Sequence, residues 1–118
     1  MSHPVRGQVY LVSFDPTVGH EMKKTRPALI IQNDIGNKFS QVTIVAAITS
    51  KLSPVPYPVE VPVYPTKQNG LAAPSAIHLD QIRSVDRTRL LKPLGKIDQQ
   101  TMAKVDDAIR VSLGLVSF

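Results

Sequence analysis

Residues 15–27 read DPTVGHEMKKTRP and gather Lys23, Lys24 and Arg26 with His20 and Glu21 in one short stretch. A guanidinium presents a planar fork of donors that matches two phosphate oxygens, and neighbouring ammonium groups add positive field. Arg26 precedes Pro27, which biases its backbone to extended geometry and puts it at the mouth of a strand. The stretch is expected to be a long loop; it serves either as a phosphodiester clamp or as a solvated charged loop. A second segment, AAITSK at residues 46–51, ends an apolar run abruptly in two hydroxyls and a lysine. Thr49 and Ser50 are therefore expected at a strand end, where they either finish the strand or project from the rim of the sheet.

Other chemistries find little support. The imidazoles His3, His20 and His78 lie far apart, without i,i+4 pairing or a carboxylate at ligand spacing, so no metal site is expected. His78 falls in a predicted strand and is expected to be a packed or hydrogen-bonded structural residue. The chain has no cysteine, which excludes disulfides, thiol catalysis and cysteine-based zinc sites. No glycine loop of the phosphate-cradling kind occurs, and no serine sits in a nucleophile elbow. Gly36 and Gly70 read as turn glycines, and no cofactor is expected.

The elements that must hold these side chains are short and β-prone. Runs at residues 8–14 (QVYLVSF), 28–32 (ALIIQ), 43–48 (TIVAAI), 76–79 (AIHL) and, weakly, 90–96 are separated by turn signals such as Asp15-Pro16 and Asn69-Gly70. The five residues NDIGN at 33–37 fit a hairpin turn joining the second and third strands. Pro54, Pro56, Pro58, Pro62 and Pro65 rule out helix or central strand there, so a loop leading into an edge strand around residues 59–63 is expected. One helix is marked by Asp98 as N-cap, by Met102, Val105, Ile109 and Leu113 on one face, and by Gly114 as its stop. Strands at this cadence suggest a small antiparallel barrel or half-barrel, mainly β, with a C-terminal amphipathic helix.

At 118 residues the chain suits a single domain, 1–118. Its 42% hydrophobic content argues against disorder. The longest apolar stretches fall far short of a bilayer span, so no membrane association is expected. The N-terminus lacks the apolar core of a secretory signal, and the absence of thiols is compatible with a reducing cytoplasm. Fourteen basic against nine acidic residues give +5; this suits a polyanionic partner through counterion release, or serves solubility alone.

Taken together, RGQVYLVSFDPTVG, KKTRPALIIQNDIGN, TIVAAITSK, LDQIRSVD and KVDDAIRVSLGL resemble the MazF/PemK family of toxin endoribonucleases, in order and over nearly the whole chain. The resemblance implies an SH3-like barrel of the CcdB/MazF/Kid type, assembled as a homodimer. It implies metal-independent cleavage of single-stranded RNA at short motifs, and restraint by a MazE-like antitoxin whose acidic disordered tail occupies the RNA groove. Arg26 and Thr49 then correspond to the catalytic pair. Thr17, His20, Glu21, Asn33, Ser50 and Gln81 fall at positions lining the RNA channel, with Lys24 beside them. His20 stands where relatives carry a small hydroxyl, Asp80 where a glutamate is common, and the proline-rich stretch covers a loop that helps gate the groove. Two rivals are a CcdB-like toxin that binds a topoisomerase without catalysis, and an inactive SH3-like nucleic-acid-binding module.

Overall fold

The computed structural model describes residues 3–14, 25–55 and 57–116. Among them, six strands are formed: β1 (Gln8–Ser13), β2 (Thr25–Ile30), β3 (Val42–Thr49), β4 (Glu60–Val63), β5 (Ser75–Asp86) and β6 (Leu90–Lys96). They hydrogen-bond in the order β4-β5-β3-β2-β1-β6, every neighbouring pair antiparallel. Helices α1 (Asp34–Phe39) and α2 (Gln99–Ser112) complete the fold. This is the mainly β, barrel-like architecture with a C-terminal helix that the sequence predicts.

The ladder ends on β4 and β6 and does not close. Instead, the segment following β4 lies against β6, where the Lys96 N–H donates to the Gln68 carbonyl at 2.7 Å. Two glycines permit this approach. A Cβ on Gly95 would stand 2.2 Å from the Gln68 carbonyl oxygen, and one on Gly70, at φ +68°, 2.0 Å from that of Leu94. No side chain fits at either distance.

Alternation along the strands sorts apolar residues onto two faces. Val9, Leu29, Ala46, Ile48, Ile77 and Leu79 pack beneath α2, which buries Val105 and Ala108 and adds Met102 and Ile109. Val12, Phe14, Ala28, Ile30, Val45 and Val85 form the second cluster. The helix begins where expected: Asp98 caps it, accepting from the Thr101 N–H at 3.0 Å. Leu113, expected on the buried stripe, is 61% exposed, because the helix ends at Ser112 and Gly114 turns the chain at φ +73°.

Three local expectations need correction. NDIGN is not a hairpin turn but the cap and first turns of α1. Asn33 Oδ1 accepts from the Gly36 N–H at 2.7 Å, and Asp34 Oδ1 accepts from the Arg6 N–H at 2.7 Å. Asn37, fully buried, takes hydrogen bonds from Gln32 and from the Thr43 hydroxyl. β2 and β3 nonetheless pair as antiparallel neighbours across this connection. Second, β5 continues to Asp86, well beyond the apolar run at 76–79, because its later half pairs along β3 despite its polar residues. Third, Arg26 and Pro27 lie inside β2 rather than at its mouth. Pro27 is tolerated there because pairing with β3 begins only at Ala28. The proline-rich stretch does lead to an edge strand, since β4 pairs with β5 alone.

Candidate active site

β2, β3 and β5 bring their polar ends to one place. The second cluster's face ends in Arg26 on β2, Thr49 on β3 and His78 on β5, and these line an open cleft of about 480 Å³. Ser50, Lys51 and Gln81 line it too, and residues 52–54 form one wall. Thr49 is the last residue of β3, so the apolar strand positions its hydroxyl at the rim while Val45 and Ala47 anchor it below.

An irregularity in β5 shapes the other wall. Ala47 pairs with His78 while Ala46 pairs with Ile82, so Leu79, Asp80 and Gln81 have no ladder partner on β3. A bulge of this kind re-aims side chains locally. Here it puts Gln81 into the cleft and leaves Asp80 Oδ1 3.4 Å from His78 Nδ1. Across β4, Glu60 pairs with His78, its Oε1 3.8 Å from the same nitrogen. Glu60 Oε2 accepts from the Ser53 hydroxyl at 2.8 Å. The other ring nitrogen, Nε2, lies 3.0 Å from Thr49 Oγ1.

The cleft therefore offers a guanidinium and an ammonium for an anion, a hydroxyl, a carboxamide and an imidazole backed by two carboxylates. A phosphodiester could be gripped by Arg26 and Lys51 while Thr49 reaches the same group.

Of the candidate residues, the structure brings together Arg26, Thr49, Ser50 and Gln81. Asn33 is placed elsewhere, beyond the far end of β2, where its side chain caps α1. Thr17, His20, Glu21 and Lys24 lie outside the described residues. His78, expected to be structural, is hydrogen-bonded as anticipated, but to the candidate catalytic threonine. Its signal in the sequence was an ionisable ring set between Ile77 and Leu79 in an apolar run, with Asp80 two residues on. Only the Ala47–His78 register turns that into proximity to Thr49.

Comparisons with known proteins bear on the family of the chain and on the fold that carries the cleft. The family of PemK-like, MazF-like toxins of type II toxin–antitoxin systems matches residues 5–113. The chain is 43% identical over 113 residues to endoribonuclease EndoA of Bacillus subtilis (strain 168), covering 96% of this chain and 97% of that protein. Among solved structures, MazF (Form-I) from Deinococcus radiodurans superposes with a TM-score of 0.80 at 27% identity, covering 97% of this chain and 99% of that one. The MazE–MazF complex (Form-II) from the same organism gives 0.76 at 26% identity, covering 98% and 100%. With a family match over nearly its full length and a relative this similar end to end, the chain belongs to the PemK/MazF toxins of type II toxin–antitoxin systems.

Proposed function

We propose that this MazF-type endoribonuclease toxin cleaves single-stranded RNA by attack of the substrate's own 2′-hydroxyl, with Arg26 and Thr49 as the catalytic pair. The observation that carries the reading is their meeting in one cleft, with Lys51 and Gln81 beside them. RNA supplies its own nucleophile, so the protein must only hold it in line and stabilise developing charge. The O2′–P bond forms as the P–O5′ bond breaks. The 2′-oxygen gives up its proton and the leaving 5′-oxygen gains one, leaving a 2′,3′-cyclic phosphate and a 5′-hydroxyl.

Arg26 neutralises charge on the nonbridging oxygens. Its guanidinium is too weak an acid to serve readily as a general base, so its role is electrostatic. Thr49 orients the 2′-hydroxyl. Gln81 and Ser50 suit edge recognition of an unstacked base, and Lys51 the flanking backbone. Thr17, His20, Glu21 and Lys24 are proposed to extend the channel, and Asn33 to reach it only from a second protomer of a homodimer. The partner that restrains the toxin is a MazE-like antitoxin, whose acidic tail competes for the same basic cleft. No described helix is long and apolar enough to cross a membrane, and the expected site of action is the cytoplasm, where mRNA is met.

Incubation of the purified protein with mixed RNA in chelator, followed by mapping of 5′-hydroxyl ends, tests the reading. Cuts at a short recurring motif with cyclic-phosphate 3′ ends support it. A folded protein that leaves RNA intact, or one that inhibits DNA supercoiling instead, overturns it.

A further inference from the structure

Among the described residues, the cleft holds an ionisable ring that the chemistry above does not use. His78 is nearly enclosed, its side chain 13% exposed. Among the described residues its Nδ1 is buried without a hydrogen-bond partner, and the groups it faces are the carboxylates of Asp80 at 3.4 Å and Glu60 at 3.8 Å. A ring nitrogen that faces only acceptors carries the proton of the neutral imidazole. Nε2 then keeps its lone pair, and the atom it meets is Thr49 Oγ1 at 3.0 Å.

This arrangement decides which way the Thr49 hydroxyl points. The alternative acceptor for its proton, the Lys51 carbonyl, is at a long 3.4 Å. With His78 neutral, Thr49 donates inward to Nε2 and turns its oxygen lone pairs toward the cleft, ready to accept from a 2′-hydroxyl and make that oxygen more nucleophilic. With His78 protonated, Nε2–H donates to Oγ1 instead. One lone pair is consumed and the hydroxyl proton is turned away from the ring.

We propose that His78 is a positioning residue that sets the polarity of the Thr49 hydroxyl, so that cleavage runs with the ring neutral and fails when it is protonated. The proposal rests on the RNA-cleaving reading of this cleft. Among the described residues, the charged groups at the ring and its cleft are Glu60 on β4, Asp80 on β5, Arg26 on β2 and Lys51 after β3. Ser53 steadies Glu60 through its hydroxyl.

The test is cleavage of an RNA that the wild-type protein cuts, followed across pH for wild type, His78→Gln, Thr49→Val and the double variant. Wild type should show an acid limb of unit slope in kcat that His78→Gln lacks and His20→Ser retains. At the plateau, His78→Gln should lower kcat about tenfold, the size of one lost positioning hydrogen bond, with KM little changed. Because His78 acts through Thr49, the double variant should be no slower than Thr49→Val. An acid limb that survives in His78→Gln, or losses that multiply in the double variant, overturns the proposal. Ring ¹⁵N NMR on the wild-type protein gives a readout without RNA: protonation of the neutral ring at Nδ1 supports the proposal and protonation at Nε2 overturns it. That measurement decides the His78 assignment even where cleavage is absent, an outcome that sinks the RNA-cleaving reading instead.

Discussion

Arg26, paired with Val12 of β1, and Thr49, paired with Ala76 of β5, lie two residues past the Ala28–Ala47 pair at which the β2–β3 ladder stops, and both side chains line the same cleft. By alternation they continue the face of Ala28 and Ala47, which suits two groups that must reach one phosphate. Each backbone is fixed by the ladder on its outer side, Arg26 by β1 and Thr49 by β5.

Replacing Arg26 by alanine should lower kcat about 10²–10³-fold, the usual cost of losing one preorganised electrostatic donor. The side chain is only half-buried and strand-borne, and the apolar anchors Ala28, Leu29 and Ile30 lie further along β2. The variant should therefore melt within a few degrees of wild type. Arg26→Lys should recover little, since an ammonium lacks the two-pronged fork. Single-turnover cleavage beside a thermal melt checks both points; near wild-type turnover in Arg26→Ala removes it from the mechanism.

Thr49 separates hydroxyl from shape. Thr49→Val keeps the branched side chain and deletes the oxygen that His78 meets, so cleavage should fall about 10²-fold with stability nearly kept. Thr49→Ser keeps the oxygen and should retain most of the rate. If the two variants lose equally, packing rather than the hydroxyl explains the position.

The fold was legible where local chemistry and tertiary context agree. Asp98 and Gly114 mark the ends of α2 because a cap and a left-handed residue act within one turn. The proline cluster marks β4 as an edge because a missing N–H forbids two neighbours. At Asn33–Asn37 the same turn-forming residues served a helix, since Arg6 and Thr43, distant in sequence, supply the partners that settle it. Of the site, Arg26 and Thr49 were visible as residue types. Their joining to His78, Glu60 and Asp80 was not, because it depends on a bulge in β5 that no local pattern announces.

Acid should weaken the fold through its capping carboxylates. The Arg6 backbone N–H first, then the Asn37 side chain, hold Asp34 below the ordinary aspartate value of 3.8. Hydrogen bonds from Thr88 lower Asp86, and those from Thr101 lower Asp98. A carboxyl that ionises more readily when folded adds stability above its unfolded value, and that stability is lost as pH falls through the folded one. Urea midpoints should thus be insensitive to these groups near neutrality and decline below about pH 4. Asp34→Asn should start lower and decline less steeply; an unchanged acid slope in that variant rules out its share.

Gly95 and Gly114 test two different reasons for glycine. At Gly114, φ is +73° and nothing lies within 4 Å of a Cβ, so alanine should cost only the left-handed backbone penalty, roughly 1–2 kcal/mol. At Gly95 the obstacle is backbone: a Cβ meets the Gln68 carbonyl oxygen at 2.2 Å and the Asn69 carbonyl carbon at 2.5 Å. Backbone atoms have no rotamer to escape into, so β6 or the segment after β4 must move. Gly95→Ala should cost more than Gly114→Ala, about 3 kcal/mol or beyond the usual overpacking range. Because this contact seals the opening between β4 and β6, hydrogen exchange should quicken at Lys96, whose N–H makes the bridging bond to Gln68. The β2–β3 ladder lies away from that seam, so folded Gly95→Ala molecules should keep their cleavage rate. Equal destabilisation by the two alanines would mean that the close approach to β6 is not what that glycine serves.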